Sequence, residues 1–82
     1  MNATELIRRS ARYGWKANKA QYVTEDKVIL DFEKNIGHKP YHIYVLADLY
    51  GAVIRGYDSN ENDVPLNLEM WDRHVQKPVV EA

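Results

Sequence analysis

Three histidines, His38, His42 and His74, are the side chains of this 82-residue sequence best suited to proton transfer or metal ligation. His38 and His42 are four apart, the separation at which a helix aligns a zinc-binding pair, but Pro40 between them forbids a shared helical face. His42 falls in a strand-like stretch, where an acidic side chain on a neighbouring strand can reach it, so it is the best placed of the three to serve as ligand or base. His74 lies near the end of a helical stretch and suits that helix's C-terminal dipole. Ser10 sits on the apolar side of a helix and Ser59 in an acidic loop, and neither occupies the strained Gly-x-Ser-x-Gly turn that exposes a nucleophile. The loop Asp58-Ser59-Asn60-Glu61-Asn62-Asp63 alternates oxygen side chains as a calcium loop does. Asp63 stands where that loop needs glycine, however, and Leu66 and Leu68 interrupt the approach to Glu69 at its twelfth position. The glycines at 14, 37, 51 and 56 are too scattered to cradle a phosphate. With no cysteine, thiol catalysis, disulfides and thiolate zinc sites are excluded. The expectation is no catalytic residue, no metal and no cofactor.

Two constellations remain, and both bind rather than react. Arg8, Arg9 and Arg12, extended by Lys16 and Lys19 with Tyr13 and Trp15 nearby, make a basic strip of the kind that engages phosphates. Such runs are most often the solvated face of an amphipathic helix. The second is an excess of aromatics in the later part of the chain, with Tyr44, Tyr50 and Tyr57 expected on an exposed sheet and hairpin and Trp71 beside them. Exposed tyrosine and tryptophan mark protein contact surfaces. Burial under a second helix is the competing account, stronger for Trp71 than for Tyr44 or Tyr50.

The elements that must carry these residues follow from local signals. Asn2 with Glu5 three positions on has the spacing of a capping box, opening a helix that runs to about Tyr13. Ala3, Leu6, Ile7, Ala11 and Tyr13 line one side of that helix and the three arginines the other. Gly14 supplies the left-handed residue that ends it, and Trp15 folds back onto the last turn. Strands are expected at 20–24, 27–33, 41–47 and 52–57. A polar turn at Glu25-Asp26, a loop over 34–40 punctuated by Gly37 and Pro40, and a hairpin loop Asp48-Leu49-Tyr50-Gly51 separate them. Residues 58–63 read as a polar loop. Beyond it Leu66, Leu68 and Met70 alternate as a strand would, whereas Leu68, Trp71 and Val75 recur at helical spacing. A short helix over 67–76 is the favoured reading of the two, with 77–82 a flexible tail after a single domain of residues 1–76. The fold class is α+β: an N-terminal helix packed on an antiparallel meander of three to four strands, with a short C-terminal helix. One face of such a sheet stays uncovered.

Composition fits this picture. Hydrophobic types make up 45% and aromatics 11% of the chain, enough for one small core and incompatible with disorder. Residues 1–42 carry eight Lys/Arg against five Asp/Glu, and 43–82 carry three against seven. The whole, at −1, lacks the basic excess of nucleic-acid binders. No apolar run approaches the roughly 18 residues of a membrane span, the start is polar rather than signal-like, and zero cysteine fits a reducing cytoplasm.

Glu5-Leu6-Ile7 followed by Gly14-Trp15 resembles the opening of HicA-type toxins, which are similar to double-stranded-RNA-binding domains. That resemblance covers about the first third of the chain. It implies RNA cleavage by a histidine shortly after the Gly-Trp pair, but residues 16–26 contain none, so the activity does not carry over. Over most of its length, through Ile43-Tyr44-Val45 and Gly51-Ala52-Val53-Ile54, the chain is similar to small accessory proteins of bacteriophages, particularly those of actinobacterial hosts. This resemblance implies binding to a host protein. The expected function is thus a non-enzymatic protein-binding module using Tyr44, Tyr50, Tyr57 and Trp71. The alternative is RNA or DNA binding through Arg8, Arg9, Arg12 and Lys16.

Overall fold

Asn2 caps the first helix, as the sequence anticipates. Its extended backbone (φ −97°, ψ 169°) turns the side chain toward the helix, and Oδ1 accepts the Glu5 N–H at 2.8 Å. The computed structural model describes residues 2–77, and the helix so started is α1, Ala3–Arg12. It ends where Gly14 takes φ +86°, while the N–H groups of Gly14 and Trp15 donate to the carbonyls of Ala11 and Ser10. Trp15 is thereby thrown inward and becomes fully buried.

Five strands follow: β1 (Lys16–Thr24), β2 (Lys27–Ile36), β3 (Lys39–Asp48), β4 (Val53–Asp58) and β5 (Asp63–Val64). They form one antiparallel sheet in chain order. A single 3-10 turn at Leu68–Met70 leads directly into α2, Trp71–Val75, with Asn67 capping the turn by accepting the Glu69 N–H. The α+β architecture expected from sequence is therefore the observed one, and the C-terminal helical segment lies where the Leu68, Trp71, Val75 spacing put it. Of the expected tail, residues 78–82 lie outside the described residues.

Three boundaries differ from expectation. β1 starts at Lys16 rather than residue 20, its pairing with β2 shifted between Ala17 and Ala20 and again between Tyr22 and Thr24. These bulges twist an exposed edge away from further pairing. The segment 34–40, read as a loop, instead prolongs β2 and β3 as a regular ladder down to the Ile36–Lys39 pair. It closes in two residues, Gly37 (φ +58°) and His38 (φ +69°). Two successive left-handed residues match the right-handed twist of the flanking strands, so the hairpin needs no longer connection. Pro40 is tolerated because pairing with β4 begins only at Ile43, leaving this part of β3 a local edge where its missing N–H costs nothing. Finally, the polar loop is shorter than 58–63, since Asp58 ends β4 and Asp63 begins the short fifth strand.

Alternation in the strands sends Leu30 and Phe32 of β2 and Ile43, Val45 and Ala47 of β3 to one face, where they are buried with Leu6, Trp15, Val64, Leu68 and Trp71. Trp71 is the centre of this core. Its ring packs edge-on against Trp15 (5.5 Å between centroids) and Phe32 (5.4 Å). Its indole N–H donates to the Pro65 carbonyl at 2.9 Å. Trp15 in turn donates to Asp72 at 2.9 Å, and Asp72 pairs with Lys34, whose ammonium also donates to the Tyr13 carbonyl at 2.6 Å. Both tryptophans thus bury their rings with their polar atoms satisfied, which is the condition for deep burial of an indole. Placement of Trp71 beside an exposed tyrosine patch is corrected accordingly: fully buried, it holds α2 to the sheet and offers no contact surface.

Candidate functional site

The same alternation that buries Phe32 and Ile43 turns Ile29, Asp31 and Glu33 of β2 and His42, Tyr44 and Leu46 of β3 to the opposite face. Register brings Arg55 and Tyr57 of β4 alongside Leu46 and Tyr44, and Asp63 of β5 alongside Tyr57. Lys16 of β1 lies opposite Glu33. Both helices pack on the other side, so among the described residues nothing covers this face.

Its middle is a ladder of flat groups. Tyr44 and Tyr57 stack at 5.6 Å with 25° between their planes, and His42 lies nearly parallel to Tyr44 at 6.1 Å. The Arg55 guanidinium sits over the Tyr57 ring at 5.3 Å. Carboxylates close the ladder at both ends. Arg55 pairs with Asp63 at 2.6 Å. His42 directs Nδ1 at Asp31 (2.8 Å) and Nε2 at Glu33 (3.5 Å). Burial lifts the Tyr57 phenol above its ordinary pKa, with Arg55 pulling weakly the other way, so the ring stays neutral and is a hydroxyl donor through the physiological range.

His42 therefore does find carboxylates on the neighbouring strand, as expected of it. Both ring nitrogens are engaged by different acidic groups, on a broad face rather than in a cleft. Among the described residues no group of three or more His, Asp or Glu side chains is arranged to hold a metal ion. His38 is spent on the β2–β3 turn. His74 is in the last turn of α2, and its Nε2 also meets Asp58 at 3.1 Å, tying α2 to the end of β4. Burial of Asp58 opposes ionisation, but the N–H groups of Asn62 and Asn60 and the His74 ring outweigh it, and the carboxyl is held below its usual value.

The residues singled out from sequence are thus only partly gathered. Tyr44 and Tyr57 meet on the open face. Tyr50 does not join them: it is 95% exposed at the tip of the β3–β4 loop, at one end of the sheet. There the Leu49 N–H donates to the Asp26 carbonyl and places the loop beside the β1–β2 turn, near exposed Tyr22 and Val23. The basic strip is also divided. Arg8, Arg9 and Arg12 are exposed along α1, with Arg9 paired to Glu5 at 2.6 Å. The register of Lys16 with Glu33 instead sends that lysine to the open face of the sheet, opposite the helix. Sequence reasoning passed over Arg55, Asp31 and Glu33, and weighed Asp63 only against the pattern of a calcium loop. Their alternation with buried neighbours identifies their face, but only strand register reveals whom they meet.

Among the described residues, no helix is long and apolar enough to cross a membrane. Comparison with protein families, with curated proteins and with solved structures finds no match for this chain.

Proposed function

We propose that this chain is a binding module without catalytic chemistry, and that the open face of the sheet around Tyr44 and Tyr57 holds a protein partner. The observation that carries this reading is the stacked tyrosine pair, half-buried on an uncovered sheet face and bordered on both sides by charged groups. An aromatic centre with a polar rim is how protein interfaces are composed. The molecule measures 37 × 30 × 19 Å, and its broad dimension suffices for the roughly 800 Å² each side contributes to a standard interface. Rings fixed by stacking lose little freedom on binding, which keeps the entropic cost of association low. The likeness to phage accessory proteins directs the search for that partner to the cytoplasm of a bacterial host.

The test is capture from a nuclease-treated bacterial lysate with the wild-type chain and with the double variant Tyr44→Ser/Tyr57→Ser. A stoichiometric protein retained by the first and lost by the second is the expected result. A protein held equally by both would place the contact elsewhere. A partner that disappears on nuclease treatment, and whose binding falls steeply with salt, would favour nucleic acid on Arg8, Arg9 and Arg12 instead.

A further inference from the structure

On the helical side of the molecule, away from the tyrosine pair, a groove of about 500 Å³ runs between the C-terminal half of α1 and the segment entering the 3-10 turn. This volume lies within the roughly 300–1,000 Å³ range of small-molecule sites. Both walls are tied to the core. Lys34 holds the Tyr13 carbonyl on one side, and the buried Trp71 indole holds the Pro65 carbonyl on the other. The groove is therefore shaped before any ligand arrives.

Its lining is chemically mixed in a specific way. Arg12 has no ion-pair partner among the described residues, and Arg9 is steadied by Glu5. Two guanidinium groups one turn apart on a helix suit an oxyanion able to accept several N–H bonds. Next to them the Tyr13 ring is 40% exposed and offers a flat apolar surface, with half-buried Leu66 across from it. Asn67 uses its carbonyl oxygen to cap the following turn, which leaves its NH₂ group as a donor. Glu69 supplies an acceptor on the wall facing the arginines. The same carboxylate repels a continuous polyanion laid along the groove, while it matches a ligand that carries both an anionic group and N–H donors.

We propose that this groove binds a nucleoside monophosphate: phosphate on Arg9 and Arg12, base against Tyr13, and an exocyclic amine toward Glu69. The site is independent of partner binding on the open sheet face. The experiment is an NMR titration of the full 82-residue chain with AMP, and separately with adenosine and with inorganic phosphate. Saturable shifts in the amides of residues 9–13 and 66–69 with AMP, and weaker binding of either fragment, are expected. Arg12→Gln and Tyr13→Leu, both at exposed positions, should each weaken AMP about tenfold, the worth of one charged hydrogen bond or one stacked base. Gln21→Ala, at an exposed position on the open face of the sheet, should change nothing. The proposal is overturned if millimolar AMP produces no saturable shift, if the shifts map elsewhere, or if Arg12→Gln leaves the affinity intact. It is equally overturned if phosphate alone binds as well as AMP, or if a single-stranded oligonucleotide binds more tightly than the monophosphate through Arg8.

Discussion

Asp72 joins the two halves of the covering layer, and its replacement isolates what that junction is worth. Its Oδ1 accepts the N–H of fully buried Trp15 at 2.9 Å, and its Oδ2 pairs with Lys34 at 2.5 Å. Asp72→Ala strands the Trp15 donor at a site with no other partner, which costs about 1–3 kcal/mol. The ion pair adds little, at most about 1 kcal/mol, because the Lys34 and Asp72 side chains are 21% and 41% exposed. The expected loss is therefore about 1–4 kcal/mol, dominated by the indole and not by the charges. For a domain of this size each kcal/mol lowers the melting temperature by about 4–8 °C, so a drop of at least about 4 °C is expected. Asp72→Asn retains an oxygen in the same place and should cost no more than about 1 kcal/mol. Urea unfolding followed by tryptophan fluorescence, with far-ultraviolet dichroism as a second probe, measures both variants. If Asn proves as damaging as Ala, the charge pair and not the indole bond holds α2 in place. If Ala is silent, α2 does not dock on Trp15 as described.

Four further outcomes follow from the same structure. Tyr44→Ser/Tyr57→Ser should retain stability to within about 1–2 kcal/mol, the scale of cross-strand pairs on an open face; a collapse of the fold in the same unfolding assay would show the pair to be structural. Gly14→Ala should cost about 1–2 kcal/mol by chemical denaturation, because Gly14 sits at φ +86° and a β-carbon there would come within 3.2 Å of the Lys34 side chain. Asp58 has a folded pKa below its ordinary 3.8, so its contribution is fully present above that value and lost as pH falls through the lower one. Stability measured against pH should accordingly decline in that acid range, and Asp58→Asn should flatten the decline. Purified protein should leave RNA uncut; cleavage that vanishes in His42→Ala would make the Asp31–His42–Glu33 cluster a reaction centre and end the non-enzymatic reading.

What the amino-acid order determined by itself is the set of features decided within one turn or one loop. Asn2 and Glu5 mark the start of α1 because a side-chain cap acts over three residues. Gly14-Trp15 marks its end because glycine alone enters the left-handed region freely. The alternation of Ile43, Val45 and Ala47 identifies the buried side of β3, and the Asp48–Gly51 loop closes with Gly51 at φ +88°. Tertiary structure decided whatever depends on register and on packing between distant segments. Gly37 and Pro40 read locally as loop residues, yet ten consecutive pairs between β2 and β3 draw them into a hairpin. Trp71 reads as a sticky aromatic until Trp15 and Phe32, far away in sequence, enclose it. Lys16 continues the arginine run on paper, but it enters a strand whose pairing turns it to the far side of the sheet. The ladder from His42 to Arg55 exists only because β3 and β4 align Tyr44 with Tyr57. A slip of two residues in that pairing would keep each of those side chains on its face and change all of its neighbours, so alternation alone does not specify whom they meet.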